Sequence, residues 1–162
     1  MFHVAILIET SGAYGRGLLR GVAQYHREHM TWSAYFRPRG PDDPLPRWLK
    51  RWRGDGILAR IRNQRIADQL LKLDVPVVNL RQSGFEVPGV PTVELDHRRV
   101  GVAGAEHLLS KGVASYGFVG SRRGVHRGHD ARADAFAETV AAQGAKYEIF
   151  RPLKEPAGDP SP

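Results

Sequence analysis

Val4-Ala5-Ile6-Leu7-Ile8-Glu9-Thr10-Ser11-Gly12-Ala13-Tyr14-Gly15-Arg16 decides the reading of this chain. An unbroken apolar run ends in a polar, glycine-bearing turn and passes into a helix-patterned stretch, residues 13–28. A parallel α/β sheet begins in this way. Ligands of such open sheets sit at the carboxyl ends of the strands. Glu9, Ser11, Tyr14 and Arg16, together with Thr10, are therefore candidate ligand contacts. The glycines at 12, 15 and 17 are wrongly spaced for a dinucleotide-binding fingerprint.

The same alternation runs down the chain. Strands are expected at residues 3–8, 32–36, 57–61, 76–80, 92–95, 115–119 and 146–150. Helices are expected between them, with Leu18, Leu19, Val22, Ala23 and Tyr25 on the inner face of the first. Trp48, Leu49 and Trp52 share one side of a short helix over 45–53. The interleaved Arg47, Lys50, Arg51 and Arg53 imitate a nucleic-acid patch, but helical spacing favours a Trp pair in the core and cations in solvent. Asp96 is read as the N-cap of a helix ended by Gly112. A helix starting at His129 or Asp130 is closed by Gly144. The last ten residues, 153–162, are expected to be a disordered tail.

Composition narrows the function. Cysteine is absent, which excludes disulfides, thiolate metal sites and cysteine nucleophiles. No run approaches the ~20 apolar residues that span a bilayer, and no signal peptide is visible at the N-terminus. A cytoplasmic protein without membrane contact is expected. The net charge of +7, mostly arginine, permits an acidic ligand or nucleic acid, but the arginines are spread along the chain. His126, His129 and Asp130 could suggest a metal; the basic loop around them favours solvated side chains. No catalytic constellation stands out, so neither an enzyme, a cofactor nor a metal is expected.

Residues 93–112, Val-Glu-Leu-Asp-His-Arg-Arg-Val-Gly-Val-Ala-Gly-Ala-Glu-His-Leu-Leu-Ser-Lys-Gly, followed by Tyr116-Gly117-Phe118-Val119-Gly120, resemble the LacI/GalR-type effector-binding domain. Arg132-Ala133-Asp134-Ala135-Phe136 is similar to that family's Arg-x-x-Gly-aromatic pattern, with Ala135 in place of Gly. Within the superfamily, Ala13-Tyr14-Gly15-Arg16, Gly21-Val22, Tyr25, Gly54-Asp55-Gly56-Ile57 and Val75-Pro76-Val77-Val78 resemble the xylose-operon regulators. The resemblance covers residues 3–151.

It implies a type I periplasmic-binding-protein-like α/β fold, with parallel sheets flanked by helices and a sugar between two lobes. The N-terminal effector-binding lobe would be 1–95, and 96–152 would be the first part of an incomplete second lobe. Opening on the sugar-sensing part matches regulators whose AraC-type DNA-binding domain lies at the C-terminus. The chain is accordingly expected to be a fragment or truncated product that meets DNA only through a domain it lacks. It would pair as a homodimer or be partly disordered after about Gly120, and would bind sugar weakly or not at all by itself. In the mechanism implied, sugar favours one lobe arrangement and changes the spacing of two DNA-binding domains.

Arg60 is read as ending the third strand and Arg81 as following the fourth. Many sugar-binding relatives carry Asn or Asp there. The arginines point to a pentose or an acidic sugar derivative as effector, or else to ion pairs of Arg60 and Arg81 with Asp55, Glu86 or Glu94. Arg132, in the first turn of its helix, occupies the family's sugar-binding arginine position. The plain alternatives are a dipole-facing carboxylate for Glu9 and an N-cap for Ser11. A transporter's solute-binding protein and a stand-alone flavodoxin-like domain are the other readings.

Overall fold

The computed structural model describes residues 1–40, 43–81 and 85–153, with the backbone alone at Arg81. The expected tail thus lies almost wholly outside the described residues. The chain divides into two compact units at the Glu94–Leu95 bond. Each is described by itself.

The first unit is a five-stranded parallel sheet of β1 (Phe2–Leu7), β2 (Trp32–Phe36), β3 (Gly56–Ala59), β4 (Val77–Arg81) and β5 (Thr92–Glu94), in spatial order β2-β1-β3-β4-β5. Its helices are α1 (Ala13–His29) and α2 (Gln64–Leu71), with a 3-10 helix at Arg47–Arg51. The unbroken apolar run after His3 follows from covering both faces of the sheet. Alternate side chains of a strand point to opposite faces. Ala5 and Leu7 pack with Leu49, Trp52, Ile66 and Leu70, whereas Ile6 and Ile8 pack with Leu18, Leu19 and Val22 of α1.

Several boundaries differ from the sequence reading. Leaving the β-ladder at Ala59 puts Arg60 just past β3, and pairing with Glu94 keeps Arg81 inside β4. Ala23 and Tyr25 lie outside the buried stripe of α1; Tyr25 is exposed and stacks on His29. Trp52 is buried against Trp48, while Arg47, Lys50, Arg51 and Arg53 are exposed, so the Trp pair belongs to the core and the cations to the solvent face.

The second unit pairs α3 (His97–Leu109) and α4 (Arg127–Ala142) with a parallel two-stranded sheet, β6 (Ser115–Val119) and β7 (Lys146–Phe150). The Asp96 side chain caps α3 by accepting the Arg99 N–H at 3.0 Å. Gly112 and Gly144, at φ 64° and 67°, supply the left-handed residues that end the two helical segments. A Cβ on Gly101 would lie 2.3 Å from the Arg132 carbonyl oxygen, so glycine is what lets the two helices approach. Tyr116, Phe136, Val140 and Ala105 form the core. α4 begins at Arg127, earlier than expected, so Arg132 belongs to its second turn.

Candidate functional site

The order of the first sheet selects a place. From β1 the chain goes to β2 on one side, and later to β3 on the other. Loops leaving β1 and β3 at such a switch point diverge and leave a crevice at the carboxyl edge. Glu9 lies in the first loop and Arg60 in the second.

They meet there as an ion pair between Arg60 Nη1 and Glu9 Oε1, with only 11% and 10% of the two side chains exposed. Burial of two charges at this depth is tolerable only because they neutralise each other. The Arg60 guanidinium also lies over the ring of Tyr14, 5.0 Å from its centroid. Burial, then the neighbouring Arg62 charge, lowers the Arg60 pKa to about 10, leaving it protonated at neutral pH. Burial, then Glu94, raises the Tyr14 hydroxyl, which therefore stays a neutral donor. Glu9 thus pairs with Arg60 in place of the dipole-facing role considered from the sequence. Arg60 has Glu9 as a carboxylate partner that the sequence reading did not include.

The rest of the β1–α1 loop is a clasp. Arg16 Nη1 donates to the carbonyl oxygens of Thr10 at 3.1 Å and Ser11 at 2.5 Å. Thr10 donates its backbone N–H to the Arg39 carbonyl at 3.0 Å. Gly12, not Ser11, is the N-cap of α1, in extended conformation and without a side-chain cap; Ser11 is exposed. A Cβ on Gly15 would fall 2.1 Å from the Glu9 carbonyl oxygen, so glycine permits the helix to press against this loop.

Three contributors escaped the sequence reading. Asn79, fully buried in β4, accepts the Ile61 N–H at 3.1 Å and so pins the loop that carries Arg60 and Arg62. A lone amide inside the apolar run Val77-Val78-Asn79-Leu80 was its signal. Arg39 and Arg62 follow β2 and β3 to the same edge. Their signal was position a few residues past a strand, which was used only for Arg60 and Arg81. The side chain of Arg81 lies outside the described residues.

In the second unit Arg132 Nε donates to His97 Nδ1 at 3.1 Å. His97 is buried and packs so closely on Gly128 that a Cβ there would lie 2.5 Å from its Nε2. Asp130 accepts from the Gly124 N–H at 2.8 Å and from Arg151 at 2.5 Å. Burial alone would raise the Asp130 pKa; these donors outweigh it and hold the carboxyl below its usual range. His126 and His129 lie ring to ring with 5.0 Å between centroids. No group of three His, Cys, Asp or Glu able to hold a metal occurs among the described residues. Nor, among these residues, is any helix long and apolar enough to cross a membrane.

Residues 3–95 match the family model described as the XylR N-terminal domain. The xylose operon regulatory protein of Escherichia coli strain K12 is 26% identical over 159 residues, covering 94% of this chain and 40% of that protein. The chain therefore spans about two fifths of the length of this curated relative. Among solved structures, that of the xylose-binding transcription activator XylR aligns with TM-score 0.70 and 23% identity, over 94% of this chain and 39% of the other. The periplasmic binding protein/LacI transcriptional regulator of Alkaliphilus metalliredigens, solved with D-xylulofuranose, aligns with TM-score 0.64 and 16% identity, over 96% of this chain and 58% of the other. These similarities carry the type I, periplasmic-binding-protein-like fold.

Proposed function

The chain belongs to the XylR N-terminal domain family, and from that membership we propose that it is the sugar-sensing part of a transcription regulator. Its effector is xylose, a related pentose or an acidic sugar derivative. The observation that carries this reading is the Glu9–Arg60–Tyr14 group at the switch point of the first sheet. A carboxylate and a guanidinium can accept from and donate to sugar hydroxyls, and an aromatic ring can cover the apolar face of a pyranose. Arg132 is the proposed ligand donor of the second unit, and Ser11 a peripheral one. Arg16 serves the site by holding the loop. The signal passes to DNA through a further domain of a longer regulator, in a homodimer.

Saturation-transfer NMR and calorimetric titration with D-xylose, L-arabinose and D-glucose test the reading. Binding of at least one sugar, weakened about tenfold by Tyr14→Ala, is expected. Absence of binding by all three and by their charged derivatives, or binding indifferent to Tyr14→Ala, would overturn it.

A further inference from the structure

We propose that the loops leaving β2 and β3 form an anion seat, in which Arg39 and Arg62 receive the carboxylate or phosphate of a charged sugar. This deepens the sugar-sensing reading and rests on it. The effector would be a uronate or sugar phosphate in preference to a neutral pentose.

The argument starts from which guanidinium is already engaged. Arg60 is paired with Glu9 and lies over Tyr14. Arg39 Nη2 donates to the Asp43 main-chain carbonyl, but its Nε is shielded from solvent without an acceptor among the described residues. Arg62 Nη1 is shielded in the same way, and among the described residues Arg62 makes neither a hydrogen bond nor an ion pair. A buried donor without a partner is costly, and more so when it carries charge. Like charge adds to this. Arg62 lies close enough to Arg39 and to Arg60 to depress both, after burial and, for Arg39, against the opposing pull of Asp43. An anion between the guanidinium groups would relieve both the repulsion and the orphaned donors.

Both arginines also stand on anchored backbone. The Arg39 carbonyl takes the Thr10 N–H, tying the β2 exit to the Glu9 loop. Arg62 sits between Ile61, held by Asn79, and Asn63, whose side chain caps α2 by accepting the Ile66 N–H at 3.0 Å. Rigid placement reduces the ordering cost of binding. Guanidinium forks match the paired oxygens of carboxylates and phosphates.

Calorimetric titrations comparing D-ribose with D-ribose 5-phosphate, and D-glucose with D-glucuronate, test the seat. The charged member of at least one pair is expected to bind about tenfold tighter or more, and the favoured pair identifies phosphate or carboxylate. Arg62→Gln should collapse that ratio and Arg62→Lys restore part of it. Arg65→Gln, which removes an exposed cation from α2, should leave it intact. Equal affinity within both pairs, a preference that survives Arg62→Gln and Arg39→Gln, or no binding at all would overturn the proposal. Inorganic phosphate binding as tightly as ribose 5-phosphate, and dependent on Arg62, would keep the anion seat and remove the sugar-sensing reading.

Discussion

Arg60 of the first unit, just past β3, and Arg132 of the second, in the second turn of α4, are held in opposite ways. Arg60 is buried against a carboxylate and an aromatic ring. Arg132 is only half-buried, and its Nε–H donates to the imidazole of His97. The first arrangement neutralises the charge inside the protein. The second orients the guanidinium without cancelling it. A fixed cation thus gains its role from its partner, not from its place along an element.

Breaking each arrangement should separate the two units. The largest effect is expected from Glu9→Gln, which removes the carboxylate charge that pairs with the buried Arg60. A loss of about 3 kcal/mol follows from removing one partner of such a pair. Amide hydrogen exchange should place it in β1, β3 and α2, with α3 and α4 unaffected. A loss below about 1 kcal/mol would show that the pair is solvated. Replacing both partners, as in Glu9→Leu with Arg60→Met, should recover much of the loss.

His97→Ala should cost less, about 1–2 kcal/mol, because Arg132 can still reach water. Its exchange signature should be confined to α3 and α4. An effect as large as that of Glu9→Gln would erase the contrast drawn between the two arginines.

The smallest effect concerns acid. Burial, then the His126, Arg132 and His97 charges, lowers the His129 pKa, outweighing the upward pull of Asp130. The folded unit therefore binds fewer protons than the unfolded chain as pH falls through the ordinary histidine range. Stability fully present above that range should begin to fall there. Asp130, also lowered, adds a second loss deeper in acid, as pH drops through the carboxylate's folded value. Unfolding of the second unit, followed by exchange across a pH series, should show the first step removed by His129→Gln. Survival of that step would assign it elsewhere.

Much of the fold was legible because it rests on local periodicity. The run from Val4 to Ile8 reads as a strand covered on both faces, and Asp96 reads as a cap from its place before an apolar-patterned stretch. Tyr25 was misplaced because the spacing of apolar residues marks a stripe but not its width; an aromatic residue at the margin can turn outward onto His29. The end of β3 was misplaced because Ile61 is as apolar as its neighbours. It is buried outside the ladder, where its N–H goes to Asn79. The start of α4 escaped because His126 occupies the N-cap without a side-chain cap bond.

By itself, the sequence determined an alternating α/β chain, parallel strands and a carboxyl edge carrying Glu9, Tyr14 and Arg60. These follow from spacings within a few residues, where apolar and polar side chains must alternate with the backbone's own period. Only the tertiary structure decided that Glu9 meets Arg60 across 51 positions, that Arg132 meets His97 across 35, and that Arg62 Nη1 is buried without an acceptor among the described residues. Those pairings depend on which strands become neighbours, and where each leaves its ladder. Strand order is a global packing solution that no local period encodes.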